Sequence, residues 1–348
     1  MRLVKIENLK EEDIIARDVL TPDYNVLLGE GTKITDDYIN RLKKYKIKEV
    51  YITEDDDIEE VAILRENVQE EIHNTLQNVM EKHTYSNSGE LAELCGTADS
   101  IINNILEEKD VVEKLYDIKQ RSADIYEHSI SVCSIATLIA LKRKIDKQIV
   151  HDIGVACLLH ELGLRYISVS YENKEICDMN EIDSIEYKKH PVYAYTALQN
   201  ETWLSESSKQ MILYHHERLD GSGYPLKATD IPEACRIIQV CDSFDEYMCG
   251  IGCERVKVYE ALEYLKIYKG VKFDKEIVDD FLSLIAVYPV GSYVKTSDGE
   301  VGVVLRQNRE FPDRPVIRII KEKDGQPVKK IIIKDLMKIT TLFIEDID

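Results

Sequence analysis

Two adjacent histidines, His215 and His216, run straight into the glycine-rich string Glu217-Arg218-Leu219-Asp220-Gly221-Ser222-Gly223-Tyr224-Pro225. Few ordinary structural needs call for such a segment, so it constrains any fold the chain adopts. Three more histidines stand upstream at wide intervals, His128, His160 and His190, with Glu161 directly after the second and Asp242 downstream. Imidazole and carboxylate are the usual ligands of divalent iron, manganese and zinc, and five histidines with carboxylates suffice for more than one ion. The chain therefore points to a polynuclear metal site assembled from distant segments.

Local periodicity supports convergence. Residues three, four or seven apart share a helix face, and Ile125, His128, Val132, Ile135 and Ile139 form such a stripe. It points His128 inward, and Asp124, one turn earlier, can join it. His215 and His216 close the apolar run Met211-Ile212-Leu213. Adjacent helical side chains diverge by about 100°, so the two imidazoles can address different ions. Asp242 follows Ile237-Ile238-Gln239-Val240 on a helix that Pro232 can start. Asp245 is either a support for a ligand or a solvated carboxylate. Gly221 and Gly223 let the backbone approach a ligand closely, or simply make the turn. Tyr224 offers a ring to a guanine or a hydroxyl to a phosphate.

In this order the residues resemble the HD-GYP family, bacterial HD-domain phosphodiesterases that open cyclic di-GMP and related cyclic dinucleotides. The GYP signature stands as Gly223-Tyr224-Pro225, the HD pair as His160-Glu161, and the third histidine as His190-Pro191. The resemblance implies two or three divalent transition-metal ions, iron or manganese, held by His128, His160, Glu161, His190, His215, His216 and Asp242. It implies catalytic roles for Glu161 and Asp242, with Glu161 spanning the ions, and substrate contacts from Arg218, Gly221, Gly223, Tyr224 and Pro225. His151-Asp152 spells the motif more literally. Nine residues along one helix would set His151 about 180° from His160, so only one can face the site. Cys157-Leu158-Leu159 before His160 and Gly163 after it match the family context, which leaves His151-Asp152 as a surface helix start.

Departures from the family are concentrated where chemistry would occur. The usual HDxGK segment reads His160-Glu161-Leu162-Gly163-Leu164, so a glutamate replaces the aspartate and leucine replaces the lysine expected at a substrate phosphate. Met248 to Cys253 stand where serine, arginine, proline and tyrosine are common, a segment that reads as degraded, and Ala194 replaces a frequent glycine. Two readings follow: a slow phosphodiesterase, or an impaired relative that serves as a cyclic-dinucleotide sensor or interaction module.

Lys and Arg number 45 against 65 Asp and Glu, a net charge of −20 that argues against binding a DNA or RNA duplex through a general basic field. Bound metal ions reverse the sign of the field within an acidic pocket. No apolar run of membrane-spanning length and no signal-peptide pattern occurs, so a cytoplasmic protein without membrane insertion is expected. Expected partners are a cyclic dinucleotide and a second copy of the chain or a signalling protein. The eight cysteines lack CxxC spacing and read as reduced core thiols, with Cys249 and Cys253 able to share a helix face.

The expected fold is mainly α: a helical HD-type metal-binding bundle flanked by a small N-terminal α/β domain and a small C-terminal β domain. Residues 1–54 alternate short β-like runs with one helix and read as the accessory domain. Residues 55–120 read as a helical linker region. There Val61, Leu64, Val68, Ile72, Leu76 and Val79 mark an amphipathic helix from Ile58, His73 and His83 face solvent, and Thr84 to Gly89 form a loop. Residues 121–288 make the catalytic domain. In residues 289–348, Asp298-Gly299 and Asp324-Gly325 are hairpin signals between β-rich runs, and a barrel is one form the β domain can take.

Overall fold

The computed structural model describes residues 2–6, 9–11, 13–16, 19–20, 26–29, 31–45, 47–52, 61–86, 89–108, 111–118, 121, 123–309 and 311–347. They divide into two compact units, residues 61–287 and residues 1–60 with 288–348. At the N-terminus β1 (Arg2–Lys5) pairs antiparallel with β4 (Glu49–Ile52), and β2 (Val19–Leu20) with β3 (Val26–Leu28). Between them α1 (Asp36–Lys44) is capped by Thr35 and buries Leu42. This is the small α/β domain expected.

The 61–287 unit is helical: α2 (Glu66–Ser86), α3 (Leu94–Glu107), α4 (Ile125–Lys142), α5 (Lys147–Leu159), a 3-10 helix at His160–Tyr166, then α6 (Glu181–Tyr187), α7 (His190–Leu198), α8 (Glu206–Tyr214), α9 (Glu233–Cys249), α10 (Val258–Tyr268) and α11 (Lys275–Leu282). From Ile125 to Ala140 every residue of α4 except Glu127 and Ser131 is buried. A helix apolar all round belongs at the centre of a bundle, and α4 packs against α2, α3, α5, α9 and α11. Asp124, Asp146, Asn180, Ser205 and Asp274 cap their helices through side-chain oxygens. Pro232 precedes α9, and Gly250 ends it in the left-handed region.

Several expectations for residues 55–120 need correction. The region is no separate linker, since Leu64, Ile72, Leu76, Leu94 and Ile101 share one core with the rest of the bundle. The proposed start at Ile58 lies outside the described residues, and α2 begins only at Glu66. Val61 is held out of the helix by Asp117, whose carboxylate accepts its N–H at 2.9 Å while Asp117 N donates to the Val61 carbonyl at 3.0 Å. Thr84 to Ser86 are helical rather than a loop, with Thr84 Oγ1 donating to the Met80 carbonyl; Asn87 and Ser88 lie outside the described residues. His83 is buried, and His73 is half-buried against Asp124 at 3.0 Å. Both read as solvent-facing because a sequence shows one face of a helix and not its neighbours.

The C-terminal strands β5 (Tyr293–Thr296), β6 (Val301–Arg306), β7 (Val316–Lys321), β8 (Pro327–Asp335) and β9 (Ile344–Ile347) form an antiparallel sheet ordered β8-β7-β6-β5-β9. Gly299 and Gly325 make the expected turns with φ of 85° and 80°. Among the described residues β8 and β9 do not pair, so the sheet stays open rather than closing into a barrel. No helix among the described residues is long and apolar enough to cross a membrane.

Candidate metal centre

Helix ends aim the imidazoles. His160 and His215 are the C-cap residues of α5 and α8, where the last carbonyls of a helix lack an intrahelical donor. His160 Nδ1 lies 2.6 Å from the Cys157 carbonyl, and His215 Nδ1 lies 2.6 Å from that of Ile212. His190, the first residue of α7, repeats the device on the Tyr187 carbonyl at 2.8 Å. A carbonyl only accepts, so each Nδ1 donates its proton and each Nε2 keeps a bare lone pair. Only glycine fits at 163, where a Cβ would stand 1.9 Å from the His190 carbonyl oxygen. That close approach seats the 3-10 helix carrying Glu161 against α7.

The lone pairs face one another. His190 Nε2 is 3.1 Å from both His215 Nε2 and His216 Nε2, and His128 Nε2 is 3.1 Å from His160 Nε2. His190 and His215, each with Nδ1 committed to a carbonyl, set two acceptors against each other at that distance, and these repel unless a cation lies between them. Glu161 Oε2 is 3.3 Å from His190 Nε2 and its Oε1 is 3.8 Å from His128 Nε2. Asp242 Oδ1 is 3.3 Å from His128 Nε2 and 3.4 Å from His160 Nε2. All four carboxylate oxygens of Glu161 and Asp242 are buried without a hydrogen-bond partner. Burying such groups unpaired is expensive, so the donor set fits divalent metal ions.

Two ligand groups result, Glu161-His190-His215-His216 and His128-His160-Glu161-Asp242, each with its ligand atoms within 4.8 Å of one another. Glu161 belongs to both. His215 and His216 share one group, because the chain turns out of α8 at His215 and brings their rings to 4.2 Å. His216 also joins Asp242 and Glu246 in a third group. Glu246, one turn beyond Asp242 on α9, drew no attention in the sequence. Burial, and then the charge of Asp242, push its carboxyl well above the usual range.

Electrostatics sort the imidazoles. Burial first, then the charge of His160 on His215 and of His215 on His216, hold these two rings well below the usual histidine pKa, and burial lowers His190 as well. These three are neutral at neutral pH, as ligation requires. Burial also opposes protonation of His128, but Asp242 and Asp245 outweigh it and hold that ring well above its usual value. Against the penalty of burial, His216 and His128 keep Asp242 well below the carboxylate range.

Residues 110–277 match the family described as HD domain, and residues 293–348 match the KOW domain associated with HD domain. A cyclic di-GMP phosphodiesterase of Pseudomonas aeruginosa is 27% identical over 227 residues, covering 64% of this chain and 54% of that protein. A cyclic di-GMP phosphodiesterase of Borreliella burgdorferi is 24% identical over 223 residues, covering 62% and 58%. The chain carries an HD domain and fits the HD-GYP family that its motifs resemble. It spans little more than half the length of these two relatives. The fold is shared with the solved structure of an HDG"Y"P protein from Bdellovibrio bacteriovorus, at a TM-score of 0.55 and 18% identity over 80% of this chain and 97% of that one.

The HD-GYP signature loop is built against its own histidines. A Cβ at Gly223 would stand 2.5 Å from Glu217 Cα, Arg218 N and the His216 carbonyl oxygen. Gly223 thus makes room for protein backbone, so the turn-making reading holds there over ligand approach. Tyr224 N donates to the His216 carbonyl at 3.1 Å, the Tyr224 ring lies 4.6 Å from that of His216, and the Tyr224-Pro225 bond is cis. Gly221 takes a φ of 73°. Glu217, fully buried, accepts the N–H groups of Leu226 and Ala228 at 2.6 and 2.9 Å and ties the loop shut. Sequence reasoning missed it, because a glutamate among charges looks solvated. Arg218, expected at the substrate, donates to the His215 and Glu217 carbonyls and to Ser243 Oγ and stacks on Phe273. Its guanidinium is committed to holding the loop.

Behind His128 lies an HD-GYP second layer. Asp245 is fully buried and not solvated; it meets His128 Nδ1 at 2.8 Å, accepts from Ser131 Oγ at 2.6 Å and pairs with Arg121. Asp124 stays out of the cluster, capping α4 through Tyr126 N and Glu127 N. The Met248 to Cys253 segment, which departs from the family's usual run, is anchored by backbone hydrogen bonds. Met248 O accepts from Arg121 N, Gly250 O from Asn173 N, and Gly252 N donates to Tyr171 O. Cys253 lies past the end of α9, so it shares no helix face with Cys249. His151 pairs with Asp99 at 2.8 Å, away from the cluster. Asp152 sits in the second turn of α5 rather than at its start, buried and accepting from Ser205 Oγ.

Proposed function

We propose that the chain is a metal-dependent phosphodiesterase that hydrolyses a cyclic dinucleotide, cyclic di-GMP above others. The observation that carries this reading is Glu161, one orphaned carboxylate belonging to two groups of imidazoles. The relatives named above, cyclic di-GMP phosphodiesterases of two bacteria, support it. Iron or manganese ions held by His128, His160, Glu161, His190, His215, His216 and Asp242 would supply positive charge to a phosphoryl group and a nucleophile at neutral pH. The protein's part is to keep His190, His215 and His216 unprotonated and to place Glu161 and Asp242 between them. Gly221, Tyr224 and Pro225 line the approach in this reading, and Glu161 and Asp242 carry the chemistry.

One observation favours a slower enzyme or a sensor. Leu164 is buried at 4% exposure in the apolar core, so the 3-10 helix presents no cation at that position. The discriminating experiment is metal analysis of anaerobically purified protein together with a cyclic di-GMP hydrolysis assay. More than one ion per chain is expected, with His160→Ala and Asp242→Ala each lowering occupancy and His151→Ala leaving it unchanged. Metal loss from a folded His151→Ala variant would overturn the ligand assignment. Full metal loading with nucleotide binding and no linear product would establish the sensor reading instead.

A further inference from the structure

The hydroxyls of Tyr187 and Tyr224 are buried and have no hydrogen-bond partner. Their rings flank the imidazoles: Tyr187 lies 5.1 Å from His190, and Tyr224 lies 4.6 Å from His216 and 6.3 Å from His190. Tyr187 is the last residue of α6, and its carbonyl already orients His190. Its hydroxyl is accommodated beside Gly252, where any Cβ would stand 2.3 Å from the phenolic oxygen. The ionisable groups that act on Tyr187 include Tyr224, Glu246 and Glu161, and those that act on Tyr224 include Glu246, Glu161 and Asp242. Both rings therefore flank His190, a member of one of the two main ligand groups.

Burying a hydroxyl without a partner carries its full desolvation penalty, and phenylalanine would fill either place without it. A phenol kept neutral by burial has one proton to donate. Leu164 leaves the site without the cation that would otherwise meet a phosphate. Building on the phosphodiesterase reading, we propose that Tyr187 and Tyr224 donate hydrogen bonds to non-bridging oxygens of a phosphate bound at the metal centre, with Tyr187 a binding residue that the signature motif does not contain. Charge-assisted hydrogen bonds of this kind are among the stronger ones a neutral donor makes.

The test uses the full chain loaded with manganese and titrated calorimetrically with inorganic phosphate. Tyr187→Phe and Tyr224→Phe are compared with the wild type, and metal content and melting temperature are read in parallel. Each variant is expected to weaken phosphate binding about tenfold, to keep the wild-type metal complement and to melt no lower than the wild type. Unchanged phosphate affinity in a metal-replete Tyr187→Phe variant overturns the proposal and leaves the hydroxyl to a buried water. Wild-type protein that takes up manganese but no phosphate overturns it as well. Wild-type protein that takes up no manganese overturns the phosphodiesterase reading beneath it. Should Tyr187→Phe fail to fold, Tyr224→Phe carries the same comparison.

Discussion

His128 Nδ1 stands 2.8 Å from Asp245 Oδ2, and both side chains are wholly enclosed. The contact turns Nε2 of the ring toward His160 and Asp242, and Arg121 and Ser131 hold the carboxylate in turn. A partner that orients a ligating imidazole is commonly worth about 10–100-fold in metal affinity or activity. Asp245→Asn is expected to weaken metal binding by that order while the protein stays folded, as read by titration against a competing chelator. Wild-type affinity in the variant would show that the carboxylate does not position the ring.

Glu161 is the single residue common to the two main ligand groups. Glu161→Gln preserves the shape and removes the charge. It is expected to reduce retained metal and to lower cyclic di-GMP hydrolysis by roughly 100-fold or more, the scale of losing one preorganised electrostatic contact. Metal content and rate are measured on the same preparation. A variant with full metal and full rate would remove Glu161 from the centre of the mechanism.

Gly223 has backbone of residues 216–218 where its Cβ would be. Gly223→Ala must push the loop off the two histidines, at about 1–3 kcal/mol for an overpacked site, and should weaken metal binding as well. Gly221→Ala, at a φ of 73° and with its nearest neighbour, Thr229 Cγ2, at 3.4 Å from the added Cβ, is the milder control. Denaturant unfolding of the two variants tests the order; equal or smaller loss at Gly223 contradicts the steric account.

The His73-Asp124 pair makes stability depend on pH. Burial lowers the His73 pKa, but Asp124 outweighs it and raises the value above 6.5; burial raises Asp124, but His73 and two backbone N–H groups bring it below 3.8. The histidine's share is complete below pH 6.5 and vanishes as pH rises through the raised value. The aspartate's share is present above pH 3.8 and is lost as pH falls through the lowered one. With both side chains partly exposed, His73→Gln should cost about 0.2–1 kcal/mol near pH 6 and less near pH 9. Melting curves of both proteins at the two pH values check this, and a pH-independent difference would count against the pair.

Much of the site is legible in the order of the residues alone. The candidate ligands His128, His160, Glu161, His190, His215, His216 and Asp242 stand in a fixed order among apolar helical runs, and the fold brings all seven together. The β domain is announced by Asp-Gly pairs between β-branched runs, because a two-residue turn writes its own local chemistry. Periodicity and turn residues are properties of neighbouring positions, and a linear string records them fully.

What the string does not record is which polar groups lose their water. Asp245, Glu217 and Glu246 look like ordinary surface carboxylates until Arg121, the Leu226 and Ala228 amides, and His216 arrive from elsewhere in the chain. The start of α2 depends on Asp117, 56 residues beyond Val61. Arg218 looks free for a substrate until the carbonyls of its own loop and Ser243 claim it. In each case a buried charge or an open donor takes its role from long-range partners, and desolvation is a property of the packed chain and not of any segment of it.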